Sequence, residues 1–183
     1  MKNKSEGSNV KTPSRQGVLG RREFLQTTVL GAVAAAAAGQ SSGGKDRKTC
    51  DILLLTCIDF RLIHYVGKEM VRRGHAGNYD QVILAGASLG ANNKVMPGWG
   101  QTFWDHVGLA KDLHKIKKVI VMDHRYCGAY EKTLGQDVYT PARHKELHSV
   151  QLRELRKEIK DKHPGLVVEL LLMDLQGNTQ TIS

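Results

Sequence analysis

Four short apolar runs recur along the chain: Asp51 to Thr56, Gln81 to Ala85, Val119 to Met122 and Leu166 to Leu172. None alternates with polar residues, which suits strands buried on both faces of a parallel sheet. Between the runs, apolar residues recur at helical spacing. Leu62, Ile63, Val66 and Met70 share one face. Trp99, Phe103, Val107, Ala110 and Leu113 do the same across 99–117, and Leu152, Leu155 and Ile159 within 143–162. Strand–helix alternation predicts an α/β fold with a mostly parallel central β-sheet of about four strands flanked by helices. The charges in 143–162 have both signs and read as a solvated outer face. No internal repeat interrupts this order.

The first 38 residues break the pattern. A polar, basic head leads to Arg21-Arg22-Glu23-Phe24-Leu25, then to a small, apolar stretch from Thr27 to Ala38. Charged head, apolar run and small-residue end are the parts of a secretory signal. The run is about a dozen residues, short of the ~20 that span a bilayer. The paired arginines before Phe-Leu resemble a twin-arginine (Tat) signal, with Gly20 and Gln26 departing from the usual flanks. The expected organisation is a Tat-type leader over 1–38, a flexible linker over 39–49 and one domain over 50–183. The resemblance implies passage through the Tat machinery, a periplasmic or otherwise exported protein, and no stable membrane insertion after cleavage.

Charge then changes meaning. The whole chain of 183 residues is +9, with 27 Lys/Arg against 18 Asp/Glu, which alone would suggest a nucleic-acid partner. The leader holds six Lys/Arg and two Asp/Glu, so the remainder carries +5. Aromatics make up 5% of the chain, too few for a base-stacking platform, so no nucleic-acid partner is expected. Three cysteines exclude a disulfide framework.

In parallel sheets, ligands bind beyond the carboxyl ends of the strands. Those ends carry Thr56-Cys57-Ile58-Asp59-Phe60-Arg61, Gly86-Ala87-Ser88-Leu89-Gly90 and Asp123-His124-Arg125-Tyr126-Cys127-Gly128. Two thiolates and an imidazole suit zinc, and three protein ligands leave a fourth position for water. Asp59 and Arg61 can pair as carboxylate and guanidinium. The Gly86–Gly90 segment lacks a Walker lysine and a dinucleotide fingerprint. His144 and His148, four apart on a predicted helix, have a spacing that can bind metal but read as solvent-facing residues. His64, His75, His106 and His114 are proton carriers by type alone. Cys50 reads as a buried apolar residue that can pair between chains if exposed to an oxidising compartment.

Cys57-x-Asp59-x-Arg61 with His124-x-x-Cys127-Gly128 resembles the paired signatures of β-class carbonic anhydrases, over roughly residues 50–175. The resemblance implies Zn2+ held by Cys57, His124 and Cys127, and an Asp59–Arg61 dyad orienting zinc-bound hydroxide. It implies a homodimer or higher oligomer hydrating CO2 to bicarbonate. The chain departs from the family at Phe60, where a small residue is usual, at Leu84 within Ile83-Leu84-Ala85-Gly86, and at Arg125 and Tyr126. Two alternatives stand beside hydration: a related zinc hydrolase acting on COS or CS2, and a catalytically degenerate zinc-binding dimeric module.

Overall fold

The four apolar runs become four strands, and the chain adds a fifth. β1 (Ile52–Thr56), β2 (Tyr79–Ile83), β3 (Lys118–His124), β4 (Val167–Met173) and β5 (Thr179–Thr181) form one sheet in the order β2-β1-β3-β4-β5. All neighbours are parallel except β4 and β5. The helices are α1 (Ile63–Arg72), α2 (Ser88–Ala91), α3 (Pro97–Leu109), α4 (Gly128–Leu134) and α5 (Pro141–Lys162), with a π turn over Ala110–His114 after α3. This computed structural model describes residues 48–92, 94–135 and 140–183. The leader and nearly all of the linker lie outside the described residues. No described helix is long and apolar enough to cross a membrane.

Side chains of a strand alternate between faces, so each central run feeds two cores. Leu53, Leu55, Val119, Val121, Leu170 and Leu172 pack with Phe103 and Val107 of α3 and with Leu152, Leu155 and Ile159 of α5. Ile52, Leu54, Ile120, Met122, Leu171 and Met173 pack with Leu62, Val66 and Met70 beneath α1. The continuous apolar pattern of β1 and β3 follows from burial on both sides. α5 begins where Thr140 Oγ1 accepts the Arg143 N–H at 3.2 Å, an N-cap ahead of Pro141.

Four expectations change. β2 starts and ends two residues earlier than its apolar run, and it is the sheet edge: Val82 is buried while Ile83 is exposed. The helix expected over 99–117 ends at Leu109 and closes with the π turn, after which Lys115 takes a left-handed φ of 59°. A π turn holds an extra residue, so Phe103, Val107 and Ala110 stay buried while Leu113 swings out to solvent; Trp99 is also exposed. β5, α2 and α4 are three to seven residues long and carry no legible period. His144 and His148 are buried, not solvent-facing, because the face of α5 that carries them packs over the end of β3.

A polar clasp joins α1 to the far side of the sheet. Glu69, 5% exposed, accepts hydrogen bonds from Arg72 and Arg73 and, at 2.6 Å, from Thr179 Oγ1 of β5. Arg73 also pairs with Glu169 of β4. Hydrogen bonds from Arg72, then Thr179 and Arg73, hold the Glu69 carboxyl down at about 2 against its ordinary 4.5, outweighing burial. A carboxyl lowered in the folded state stabilises the fold above its unfolded pKa and loses that contribution as pH falls through the folded value. Glu69→Gln should therefore cost about 1.5–3 kcal/mol at neutral pH. It should also flatten the loss of stability between pH about 4.5 and about 2, as read by urea denaturation across that window.

Candidate metal centre

The parallel pairing of β1 and β3 aligns Thr56 with Met122, so Cys57 leaves its strand beside the last residues of β3. His124 is the final residue of that strand. Tyr126 adopts a left-handed φ of 58° and turns the chain back, so that Cys127 reaches the site as the residue capping α4. Three ligand atoms, one each from Cys57, His124 and Cys127, lie within 4.8 Å of one another.

The donor set fits a tetrahedral ion. The Cys57 and Cys127 sulfurs are 3.8 Å apart, and two ~2.3 Å zinc–sulfur bonds at the tetrahedral angle span about 3.8 Å. His124 Nδ1 donates to the Arg125 carbonyl at 2.9 Å. That bond selects the tautomer whose Nε2 carries a lone pair, the usual arrangement behind a metal-binding imidazole. Nε2 is buried and has no hydrogen-bond partner, a costly state for a polar atom unless something occupies it.

The two sulfurs are hydrogen-bond partners of each other. The hydrogen bond from Cys127 holds Cys57 down at about 4 against desolvation, with His124 and the Gly86 N–H adding to it. The same hydrogen bond, then burial, pushes Cys127 up. Burial works against charge on His124, but the neighbouring Cys57 sulfur outweighs it and raises its pKa. The Gly86 N–H donates to Cys57 Sγ at 3.2 Å. The glycine-rich turn after β2 is thereby a support for the site. Gly86 has a φ of 79°, and a Cβ on Gly90 would meet the Ala85 carbonyl at 2.5 Å.

Asp59 and Arg61 form the expected pair. Arg61 Nε and Nη2 donate to the two carboxylate oxygens at 2.9 and 2.6 Å, and the Arg61 N–H adds a third bond at 3.0 Å. Nη2 also reaches the Tyr126 carbonyl at 3.0 Å, tying the loop after β1 to the loop after β3. Asp59 Oδ2 lies 3.7 Å from His124 Nε2. Hydrogen bonding to Arg61 outweighs burial and holds the Asp59 carboxyl at about 2. The three candidate ligands and the pair thus meet at one place, beside a cavity of about 710 Å³ lined by Cys57, Ile58, Asp59, Phe60, Arg61, Tyr126 and Cys127, among others. Of the departures noted in the sequence, Phe60 and Tyr126 line this cavity, whereas Leu84 packs into the core.

One strand-end residue that the sequence offered without a role supports the site. Asp123, 1% exposed, accepts hydrogen bonds from the Ser88 N–H (2.9 Å), Ser88 Oγ (2.6 Å), Tyr130 OH (2.7 Å) and His148 Nδ1 (2.9 Å). The Tyr130 and His148 rings pack against each other, tilted, with centroids 3.8 Å apart. Burial and the Asp123 charge push the Tyr130 phenol well up, so it stays a donor. The available signal was a carboxylate at the end of an apolar run, which demands buried donors. His148 is one of them; the His144 ring packs, tilted, against Tyr126 at 4.7 Å.

No family model matches the chain. Among solved structures, the fold is similar to a carbonic anhydrase from Glaciozyma antarctica, with a TM-score of 0.51 and 15% identity over 81% of this chain and 90% of that one. It is also similar to a β-carbonic anhydrase of Trichomonas vaginalis (TM-score 0.50, 14% identity, 76% of this chain and 85% of that one). A β-carbonic anhydrase of Aspergillus fumigatus gives a TM-score of 0.50 at 12% identity, over 78% of this chain and 95% of that one. The fold is therefore that of β-carbonic anhydrases. Closer in sequence are two uncharacterized proteins of Rickettsia. That of Rickettsia bellii is 41% identical over 131 residues, 71% of this chain and 80% of its own length. That of Rickettsia conorii is 40% identical over 131 residues, 71% of this chain and 70% of its own. The chain belongs to one family with them.

Replacing Asp123 by alanine should leave three side-chain donors and a backbone N–H buried without an acceptor. Loss of one partner in a buried charged network costs about 3–5 kcal/mol, so Asp123→Ala should show a large fall in the urea midpoint.

Proposed function

We propose that this chain is an exported zinc enzyme of the β-carbonic anhydrase type that interconverts CO2 and bicarbonate. The observation that carries the reading is the pair of sulfurs at 3.8 Å beside a buried, partnerless imidazole Nε2, with an ionised Asp59 3.7 Å from that nitrogen. Cys57, His124 and Cys127 would hold the ion. When bound, zinc acts as a Lewis acid and brings the pKa of water at its open position to about 7.

The remaining work falls to the chain. Arg61 keeps Asp59 ionised and fixes both of its oxygens, so Oδ2 can accept a hydrogen bond from water at the site and orient it. Ile58 and Phe60 give the cavity an apolar wall against which an uncharged, linear molecule can lie. The Arg61 charge at the same wall favours the anionic product while it forms. Ile58, Phe60, Ile63 and Ile83 are large and exposed around this mouth and the adjoining groove, and such a patch supports association with a second copy. Export is supported by the twin-arginine-like leader. A second reading, hydrolysis of COS or CS2, is favoured by Phe60, whose ring stands 81% exposed in the cavity wall where a small residue would leave a more polar, open pocket.

Zinc-loaded protein should accelerate CO2 hydration in stopped flow, and Cys57→Ser should lose both the acceleration and the ion. Asp59→Asn should keep zinc and lower kcat/KM by about 10²-fold. Hydration at the buffer rate with zinc bound at this centre sinks the proposal, and sulfide release from COS by the same sample would then establish the second reading.

A further inference from the structure

At the other end of the sheet, where the parallel strands begin, three more potential ligands meet. Cys50 lies just before β1, Asp80 in β2, and His114 at the close of the π turn. One ligand atom from each lies within 4.8 Å of the other two. They come from three separate segments, and the backbone holds them in place. The Cys50 N–H donates to the His114 carbonyl at 3.1 Å, and His114 Nδ1 bonds Asp80 Oδ2 at 2.7 Å. All three residues are half-buried.

The π turn is what brings His114 there. π turns are rare and cluster at functional sites, and this one is followed at once by the left-handed Lys115. A cavity of about 240 Å³ opens beside the cluster, lined by Asp80 and His114 and also by His106. His106 Nδ1 is taken by the Thr102 carbonyl at 2.8 Å, which leaves Nε2 as the lone-pair donor of a residue on the cavity wall.

We infer that Cys50, Asp80 and His114 form a second metal site, distinct from the first, that takes a borderline divalent ion, Zn2+ foremost. One sulfur, one imidazole nitrogen and one carboxylate oxygen are each accepted zinc donors, and the mixed set disfavours hard ions such as Mg2+ or Ca2+. Ligand atoms around tetrahedral zinc lie roughly 3.3–3.8 Å apart, so the cluster needs only small side-chain adjustments. The ion takes the place of the Cys50 thiol proton, which leaves to solvent, and of the proton between His114 Nδ1 and Asp80, which moves to His114 Nε2. It relieves the unfavourable facing of a thiol and a carboxylate: burial, then the Asp80 charge, pushes the Cys50 thiol up in its absence. Water or His106 completes the coordination. The site would clip the start of β1, the edge strand β2 and the end of the α3 segment together. It would also shield Cys50 from oxidation. Its residues share nothing with the first centre, so it stands independently of the carbonic anhydrase reading.

The test is zinc stoichiometry after dialysis against buffered Zn2+, with iodoacetamide labelling of Cys50 followed by mass spectrometry. The whole chain should bind two zinc ions, while Cys50→Ser and His114→Ala should each bind one. Zinc should protect Cys50 from alkylation. In a Cys57→Ser/Cys127→Ser chain, Co2+ should still give a thiolate-to-cobalt charge-transfer band, lost when Cys50→Ser is added. An unchanged stoichiometry in Cys50→Ser and His114→Ala overturns the proposal, as does full alkylation of Cys50 in excess zinc. If the double serine chain does not fold, the single Cys50→Ser comparison decides alone, since it leaves the first centre intact.

Discussion

The parallel pairing of β1 with β3 is the constraint from which the site follows. It sets Thr56 level with Met122, and the candidate ligands hang just beyond that level. Cys57 emerges next to His124, and the left-handed turn at Tyr126 needs only three residues to bring Cys127 back. A slip of one residue would send the side chains of β1 to the opposite faces. Leu53 and Leu55 would then trade cores with Ile52 and Leu54. Burial on both faces leaves room for no such slip without mispacking, so the hydrophobic cores and the ligand geometry are held by the same register.

Asp123 extends that control into the polar part of the molecule. A carboxylate beside the candidate ligand His124 and buried under α5 is expensive unless saturated, and four donors from the turn after β2, from α4 and from α5 saturate it. The same network therefore joins three segments around the end of β3. One of those segments, the turn at Gly86, donates to Cys57 Sγ. The sulfur pair and the buried carboxylate are thus supported by a common scaffold, which explains why polar groups lie so deep in an otherwise apolar core.

Much of the fold was legible because its signals are local. The runs at Ile52–Thr56, Lys118–His124 and Val167–Met173 are apolar enough to be strands under any packing, and the stripes of α1 and α5 have the right period. The two motifs that resemble β-carbonic anhydrases also lie where strands end, so the five site residues could be named together. Less legible were the edges. β2 carries an apolar run of which only Val82 is buried, because no strand covers its outer side. Leu113 fits the helical stripe of α3, but the π turn rotates it away. His144 and His148 looked like solvent-facing residues because a helix period alone does not say which face meets a buried acid.

The sequence by itself determined the alternation of strands and helices, the two-faced burial of the central strands, and the identity of the thiols, imidazole, carboxylate and guanidinium that meet at the candidate metal centre. These follow from side-chain chemistry and short spacings. Only the tertiary structure decided the distances among them, the saturation of Asp123 and the meeting of Cys50 with Asp80 and His114. Cys50 and Asp80 are thirty positions apart, and His114 a further thirty-four. No local period records that proximity. It arises because parallel strands begin at one edge of the sheet, and because a single extra residue in a helical turn redirects the side chain at its end.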